Sequence, residues 1–227
     1  TGSKYCVVVN NGTSALRLAL HIVGVRPDDE VIIPPISFVA TANAVSHLGA
    51  IPHFVDIEKE SLGICPIKLS KHLESIALKR DGVVINKITG RKIAAIVPVH
   101  VFGNPANLKP IKVISNEWNI PLIEDAAEAL GSFISDKNNS VHCGLLGEIG
   151  ILSFNGNKLI TTGGGGAIIT NNQSFAEIAK HLSTTAKIKH QWEFDHDNIA
   201  WNDRLPNINS ALGVSQMEVL HERINRK

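Results

Sequence analysis

The sequence predicts an α/β fold, three layers with helices on both sides of a mostly parallel central sheet, from three observations. Short apolar runs alternate with stretches of helical periodicity along all 227 residues. Runs such as AAIVPV at 94–99 and PLIE at 121–124 are apolar on both faces, as strands covered by helices on each side require. Polar or glycine-rich residues follow directly on these runs, as at the carboxyl ends of strands in ligand-binding sheets.

Taken in order, 5–10 (YCVVVN) is a β-branched strand ending at Asn11-Gly12. Thr13 then opens a helix with Leu16, Leu20 and Val23 on one face. A strand at 30–33 is closed by Pro34 and Pro35, and a helix of small residues over 38–48 ends at Gly49. Another strand follows at 51–56. Residues 66–80 read as a helix with Pro66 in its first turn, followed by a polar stretch holding Asp81-Gly82 and Thr89-Gly90. A strand in IAAIVPVH, an amphipathic helix near 108–118 and a strand in PLIEDAA repeat the unit. Strands at 149–154 and 167–170 flank a glycine run, and helices near 173–184 and 208–224 complete the chain.

Composition narrows the function classes. Lys and Arg number 22 against 21 Asp and Glu, a net charge of +1, so the basic excess of a nucleic-acid binder is missing. With 44% hydrophobic residues the chain can bury a full core, which excludes general disorder. No apolar run approaches the roughly 20 residues of a membrane helix, so a membrane partner is not expected. Cys6, Cys65 and Cys143 are odd in number and far apart, and read as buried reduced thiols. No HExxH or paired ligand spacing marks a metal site, and Asp195-His196-Asp197 reads as a solvated loop. Residue 1 is Thr and the chain ends at HERINRK within a running helix, so it reads as a piece of a longer polypeptide.

Three strand-end places can carry chemistry. In NNGTSAL at 10–16, Gly12 can bring backbone close to an anion, and the amides of Thr13 and Ser14 begin a helix that can hold a phosphate. Taken alone, this reads first as an ordinary Thr N-cap. Asp125 ends PLIED with Glu128 three residues on; a carboxylate leaving a buried strand needs a cation or hydrogen bonds, or else caps a helix. In SFNGNK at 153–158, Lys158 beside a strand end and glycines could lose solvent and become a nucleophile toward a carbonyl, although most lysines are simply solvated. Gly163 to Gly166 match neither GxGxxG nor a Walker loop and shape a hairpin where backbone must pass close to something.

Together the strings GTSAL, SFVATANAV, VPVHVFGNPANL, IEDAAEALGS, GEIGILSFNGNKLITTGGGGAIIT and RLPNINSALGVSQME resemble the DegT/DnrJ/StrS family of pyridoxal-phosphate-dependent sugar aminotransferases, in order and over nearly the whole chain. NGNKLITTGGGG and STTAKIKHQWEFDHD look most like the members that aminate a UDP-linked 4-keto-6-deoxy sugar on the way to nonulosonic acids such as legionaminic acid. The resemblance implies the large cofactor domain of fold type I aminotransferases over 1–227, without its N-terminal lead-in and C-terminal small domain. It also implies a cytoplasmic homodimer with shared active sites.

By the same resemblance, Lys158 would form the internal aldimine with pyridoxal 5'-phosphate and shuttle the proton between substrate carbon and cofactor C4′. Asp125 would pair with the pyridine nitrogen, Phe38 would stack on the ring, and Glu128 would sit beside the ring hydroxyl. Thr13, the Ser14 amide and Ser153 would hold the phosphate, and Asn202 would reach the phosphate of the neighbouring subunit. Glutamate would be the amino donor, alternating with the nucleotide-sugar substrate in ping-pong fashion. One departure stands out: where the family reads GYNYR, this chain has Ala200, Trp201, Asn202, Asp203 and Arg204, which puts the role of that loop in doubt. A dehydratase of the same family, with histidine at the lysine position, and a non-catalytic sensor or scaffold are the competing expectations.

Overall fold

A computed structural model of the chain describes residues 1–136 and 139–226. Its strands are β1 (Tyr5–Val9), β2 (Glu30–Ile33), β3 (Ile51–Phe54), β4 (Ala77–Arg80), β5 (Val83–Asn86), β6 (Ile93–Ile96), β7 (Ile123–Asp125), β8 (Phe133–Asp136), β9 (Asn139–His142), β10 (Ile149–Ser153) and β11 (Gly166–Thr170). Its helices are α1 (Gly12–Ile22), α2 (Ala40–Ser46), α3 (Pro66–Ile76), α4 (Leu108–Trp118), α5 (Gln173–Ser183), α6 (Asn207–Glu218) and α7 (Leu220–Arg226).

Two strand groups, β1-β11-β10-β7 and β3-β2-β6, merge into one sheet. Pro98 has no N–H to give and breaks regular pairing beyond β6. Even so, Asp125 N–H donates to the Pro98 carbonyl at 3.0 Å and His100 N–H to the Asp125 carbonyl at 3.0 Å, while Ile96 pairs Leu122 in parallel. The order is therefore β1-β11-β10-β7-β6-β2-β3, parallel except at β11, which runs antiparallel to both its neighbours.

The period of two along each strand sorts side chains between two cores. Val31, Ile33, Ile123, Ile151 and Ile168 pack with α1, α2 and α5 on one face. Ile32, Ile96 and Leu122 pack with α3 and α4 on the other. The predicted three-layer α/β class is what forms.

Several local expectations change. The α1 cap is Asn11, whose Oδ1 accepts from Ser14 N–H at 2.8 Å; Thr13 lies inside the first turn. The helix expected over 66–80 stops at Ile76, because Asp81 and Gly82, at φ 50 and 80, turn the chain back and pair β4 with β5. The small-residue helix is shorter than 38–48, and the last helix breaks at Val219 into α6 and α7. Of the three cysteines only Cys143 is buried; Cys6 points outward from an edge strand whose inward positions are Val7 and Val9.

Candidate active site

The turn Asn10-Asn11-Gly12 delivers the chain from β1 into the first turn of α1, whose free amides and dipole favour an anion. Glycines allow the close approach this needs. A Cβ on Gly12 would lie 3.1 Å from Ser153 Cβ, so α1 starts against the carboxyl end of β10. A Cβ on Gly166 would lie 2.6 Å from the Asn11 carbonyl carbon, so β11 passes directly under the turn. The end of the glycine run is thus where backbone crosses backbone, as its composition suggested.

A cavity of about 300 Å³ opens here, at the carboxyl ends of β6, β7 and β10. Of the predicted site residues, Thr13, Phe38, Asp125, Glu128, Ser153 and Lys158 all line it. Ser14 and Asn202 do not. Ser14 is buried with its amide committed to Asn11. Asn202 is exposed and bridges Thr184.

Asp125 ends β7 at 6% exposure. Thr41 of α2 donates its hydroxyl to Oδ2 at 2.8 Å and Ala127 N–H donates to Oδ1 at 3.2 Å. Burial pushes its carboxyl above the usual carboxylate range; the Thr41 and Ala127 hydrogen bonds, His100 and Lys158 pull the other way. No cation forms an ion pair with Asp125 among the described residues. It caps no helix, since none begins within the three residues after it.

Lys158 follows a turn in which its N–H donates to the Asn155 carbonyl at 3.0 Å. Its Nζ donates to Glu128 Oε1 at 2.9 Å, with the lysine side chain 14% exposed. This is not a solvated surface lysine. The other Glu128 oxygen accepts from Phe102 N–H at 3.0 Å and so holds that residue at φ 54, ψ 22. Phe38 stands 75% exposed at the cavity.

Sequence reasoning missed three residues around this site. Thr41 lies one helical turn beyond Phe38, a spacing that could have drawn attention. His100 lines the cavity; its Nδ1 accepts from Ala106 N–H at 3.1 Å, leaving Nε2 to donate to Glu124 Oε2 at 3.0 Å. Glu124, beside Asp125 but on the opposite face, also accepts from the amides of Gly144, Leu146 and Gly147 at 2.6, 2.7 and 2.6 Å.

The altered loop is explained by packing on α1. Asp203 is buried, pairs with Arg17 and accepts from Asn10 Nδ2 at 3.2 Å. The Arg17 guanidinium carbon lies 4.7 Å from the Trp201 ring centroid, and His21 meets that ring edge-on. Both unusual residues brace the outer side of the helix whose first turn faces the cavity. Among the described residues no group of three or more His, Cys, Asp and Glu is placed to hold a metal ion, and no helix is long and apolar enough to cross a membrane.

The residue set fits pyridoxal phosphate. A buried acid with no ion-pair partner among the described residues suits a protonated ring nitrogen, and a sequestered amine suits an aldehyde. A helix start with Thr13 and Ser153 suits a phosphate, and an exposed aromatic suits a ring face.

Comparison with known proteins agrees. The pattern of the DegT/DnrJ/EryC1/StrS aminotransferase family matches residues 1–227. GDP-perosamine synthase of Escherichia coli O157:H7 is 35% identical over 99% of this chain and 56% of its own length. The solved structure of Helicobacter pylori PseC, an aminotransferase involved in the biosynthesis of pseudoaminic acid, superposes with a TM-score of 0.80 at 29% identity, over 97% of this chain and 54% of that one. The structure of ntda from Bacillus subtilis with bound cofactor pmp gives a TM-score of 0.78 at 28% identity, over 96% and 45%. The chain spans about half the length of the curated relatives it matches.

Proposed function

The chain belongs to the DegT/DnrJ/EryC1/StrS aminotransferase family, and on that footing we propose that the whole protein transfers an amino group from glutamate to the ketone of a nucleotide-linked sugar. The observation that carries the reading is Lys158 and Asp125 lining one cavity, the acid buried and, among the described residues, in no ion pair. Pyridoxal 5'-phosphate is the cofactor that goes with this family. Once bound, it supplies an electron sink for the carbanion at the amine-bearing carbon, which no side chain can provide.

The chain's own residues do the rest. Asp125 holds a proton on the cofactor ring nitrogen by opposing its positive charge in a site of low dielectric. Lys158 would hold the cofactor through its aldehyde carbon and, as the amine that lines the cavity, would be placed to carry a proton at the substrate carbon. Glu128 accepts the lysine ammonium whenever the side chain is not engaged with the cofactor, and so keeps it within the cavity. Thr13, Ser153 and the first turn of α1 hold the phosphate, and Phe38 covers the ring. The two substrates use one site in turn, hence ping-pong kinetics.

The sugar we assign is a UDP-linked 4-keto-6-deoxy-hexosamine, aminated at C4 toward a nonulosonic acid. The strings that suggested it are supported at a coarser level by the GDP-perosamine and pseudoaminic acid relatives. We also assign a homodimer in which Asn202, exposed and outside its own cavity, serves the partner's phosphate site. The test is turnover of nucleotide-linked keto sugars with glutamate by the complete protein, with mixing of tagged copies to read the dimer. Amination of the UDP-linked 4-keto sugar in preference to its GDP counterpart is expected. Loss of the sugar oxygen without amination would point to the dehydratase, and cofactor binding without turnover of any keto sugar to a scaffold.

A further inference from the structure

We propose that Thr41 is a positioning residue for Asp125, its hydroxyl holding the carboxylate in the orientation and charge state that a cationic ring nitrogen needs. This rests on the pyridoxal phosphate reading of the cavity and adds to it a residue that never needs to touch the cofactor.

Thr41 is 1% exposed and belongs to α2. A threonine within a helix commonly turns its hydroxyl back to a carbonyl one turn earlier. Here the hydroxyl donates instead to Asp125 Oδ2, at 2.8 Å and 84 residues away in sequence. The only other donor on this carboxyl among the described residues is Ala127 N–H at 3.2 Å, so Thr41 provides the shorter of two hydrogen bonds. Thr41 N–H bonds the Phe38 carbonyl at 3.1 Å, so one turn carries both the aromatic at the cavity and the donor to the acid. Moving that turn moves both.

A donor to a carboxylate favours its charged form, against the burial that favours the neutral one. Among the described residues, the other ionisable groups that line the cavity with Asp125 are Lys158 after β10, His100 after β6 and Glu128 in the following turn; α2 brings the hydroxyl and no charge. A charged acid opposite a charged ring nitrogen binds the cofactor. A protonated acid opposite the same nitrogen does not.

The experiment compares wild type, Thr41→Ser and Thr41→Val in the complete protein, measuring pyridoxal phosphate affinity between pH 5 and 9, with thermal melting to verify folding. Thr41→Val, similar in shape but without the hydroxyl, should bind about 10-fold more weakly at neutral pH, as loss of a hydrogen bond to a charged group implies. Its loss of affinity on acidification should begin at a higher pH, because Asp125 takes up a proton sooner. Thr41→Ser should track the wild type in both respects. Should Thr41→Val not fold, Thr41→Ala, which adds no bulk, takes its place in the same comparison. A valine or alanine variant with wild-type affinity and pH profile overturns the proposal, as does a serine variant that behaves like valine. A wild type that binds no cofactor overturns the cofactor reading and this inference together; unaltered affinity in a cofactor-binding protein overturns this inference alone.

Discussion

Glu124 and Asp125 are neighbours on one short strand, yet they live in opposite circumstances. The pleat turns Glu124 toward the α3–α4 face, where three backbone amides and His100 donate to its two oxygens. Asp125 faces the cavity with one hydroxyl, one longer amide contact and, among the described residues, no ion-pair partner. A buried acid whose acceptors are filled is part of the framework; it ties the 144–147 loop, which leads into β10, to β7. A buried acid left short of donors beside a cavity is incomplete until a ligand arrives. The two residues are alike in being buried acids, and the count of donors sets them apart.

The sharpest way to break this contrast is to remove each acid in turn. Glu124→Ala leaves a buried amide, a buried imidazole and two half-buried amides without their acceptor and should destabilise the chain by about 3–5 kcal/mol, read from the denaturant midpoint. Asp125→Asn should leave folding intact while weakening pyridoxal phosphate binding about 100-fold, the scale of a lost charge-paired hydrogen bond in a buried site. If Asp125→Asn unfolds the chain and Glu124→Ala does not, the roles assigned here are reversed.

Gly147 tests the framework side more gently. A Cβ there would lie 2.4 Å from the Leu122 carbonyl oxygen, so Gly147→Ala must shift the loop that Glu124 holds, at a cost of about 2 kcal/mol in thermal stability. Cofactor affinity should change far less than stability.

The smallest effect expected is a pH dependence. Burial raises the folded Asp125 carboxyl above its unfolded value, so its charged form is penalised in the folded, cofactor-free protein. The favourable contribution is complete below the unfolded value and is lost as pH rises through the folded one. Asp125→Asn should therefore be more stable than wild type at neutral pH, with the gap closing on acidification. A gap that widens on acidification contradicts the burial account.

The contrast also marks what could be read from sequence. The alternation of strand and helix was legible because each apolar run carries its own period, and Asp125 and Lys158 stood out as candidates because one ends such a run and the other follows the next within five residues. Glu124 was passed over: PLIED reads as a buried strand with one acid at its exit, and only the folded loop at 144–147 shows why a second acid is tolerated before it. Thr41 was hidden in a helix of small residues, since its partner is 84 positions away. The β4–β5 hairpin was missed although Asp81-Gly82 is its signature, because Leu78, Lys79 and Arg80 continue the helical pattern of α3. Asn11 took the cap from Thr13 for a purely local reason: its side chain reaches the Ser14 amide.

The central claim is that Lys158 and Asp125 form one cofactor site. The most direct test is to mix the complete protein with pyridoxal phosphate, reduce with borohydride, digest and locate the added mass. The account predicts a single dominant adduct on Lys158, lost in Lys158→Ala and strongly reduced in Asp125→Asn. An adduct spread over surface lysines, or one on Lys158 that is indifferent to Asp125, would contradict it.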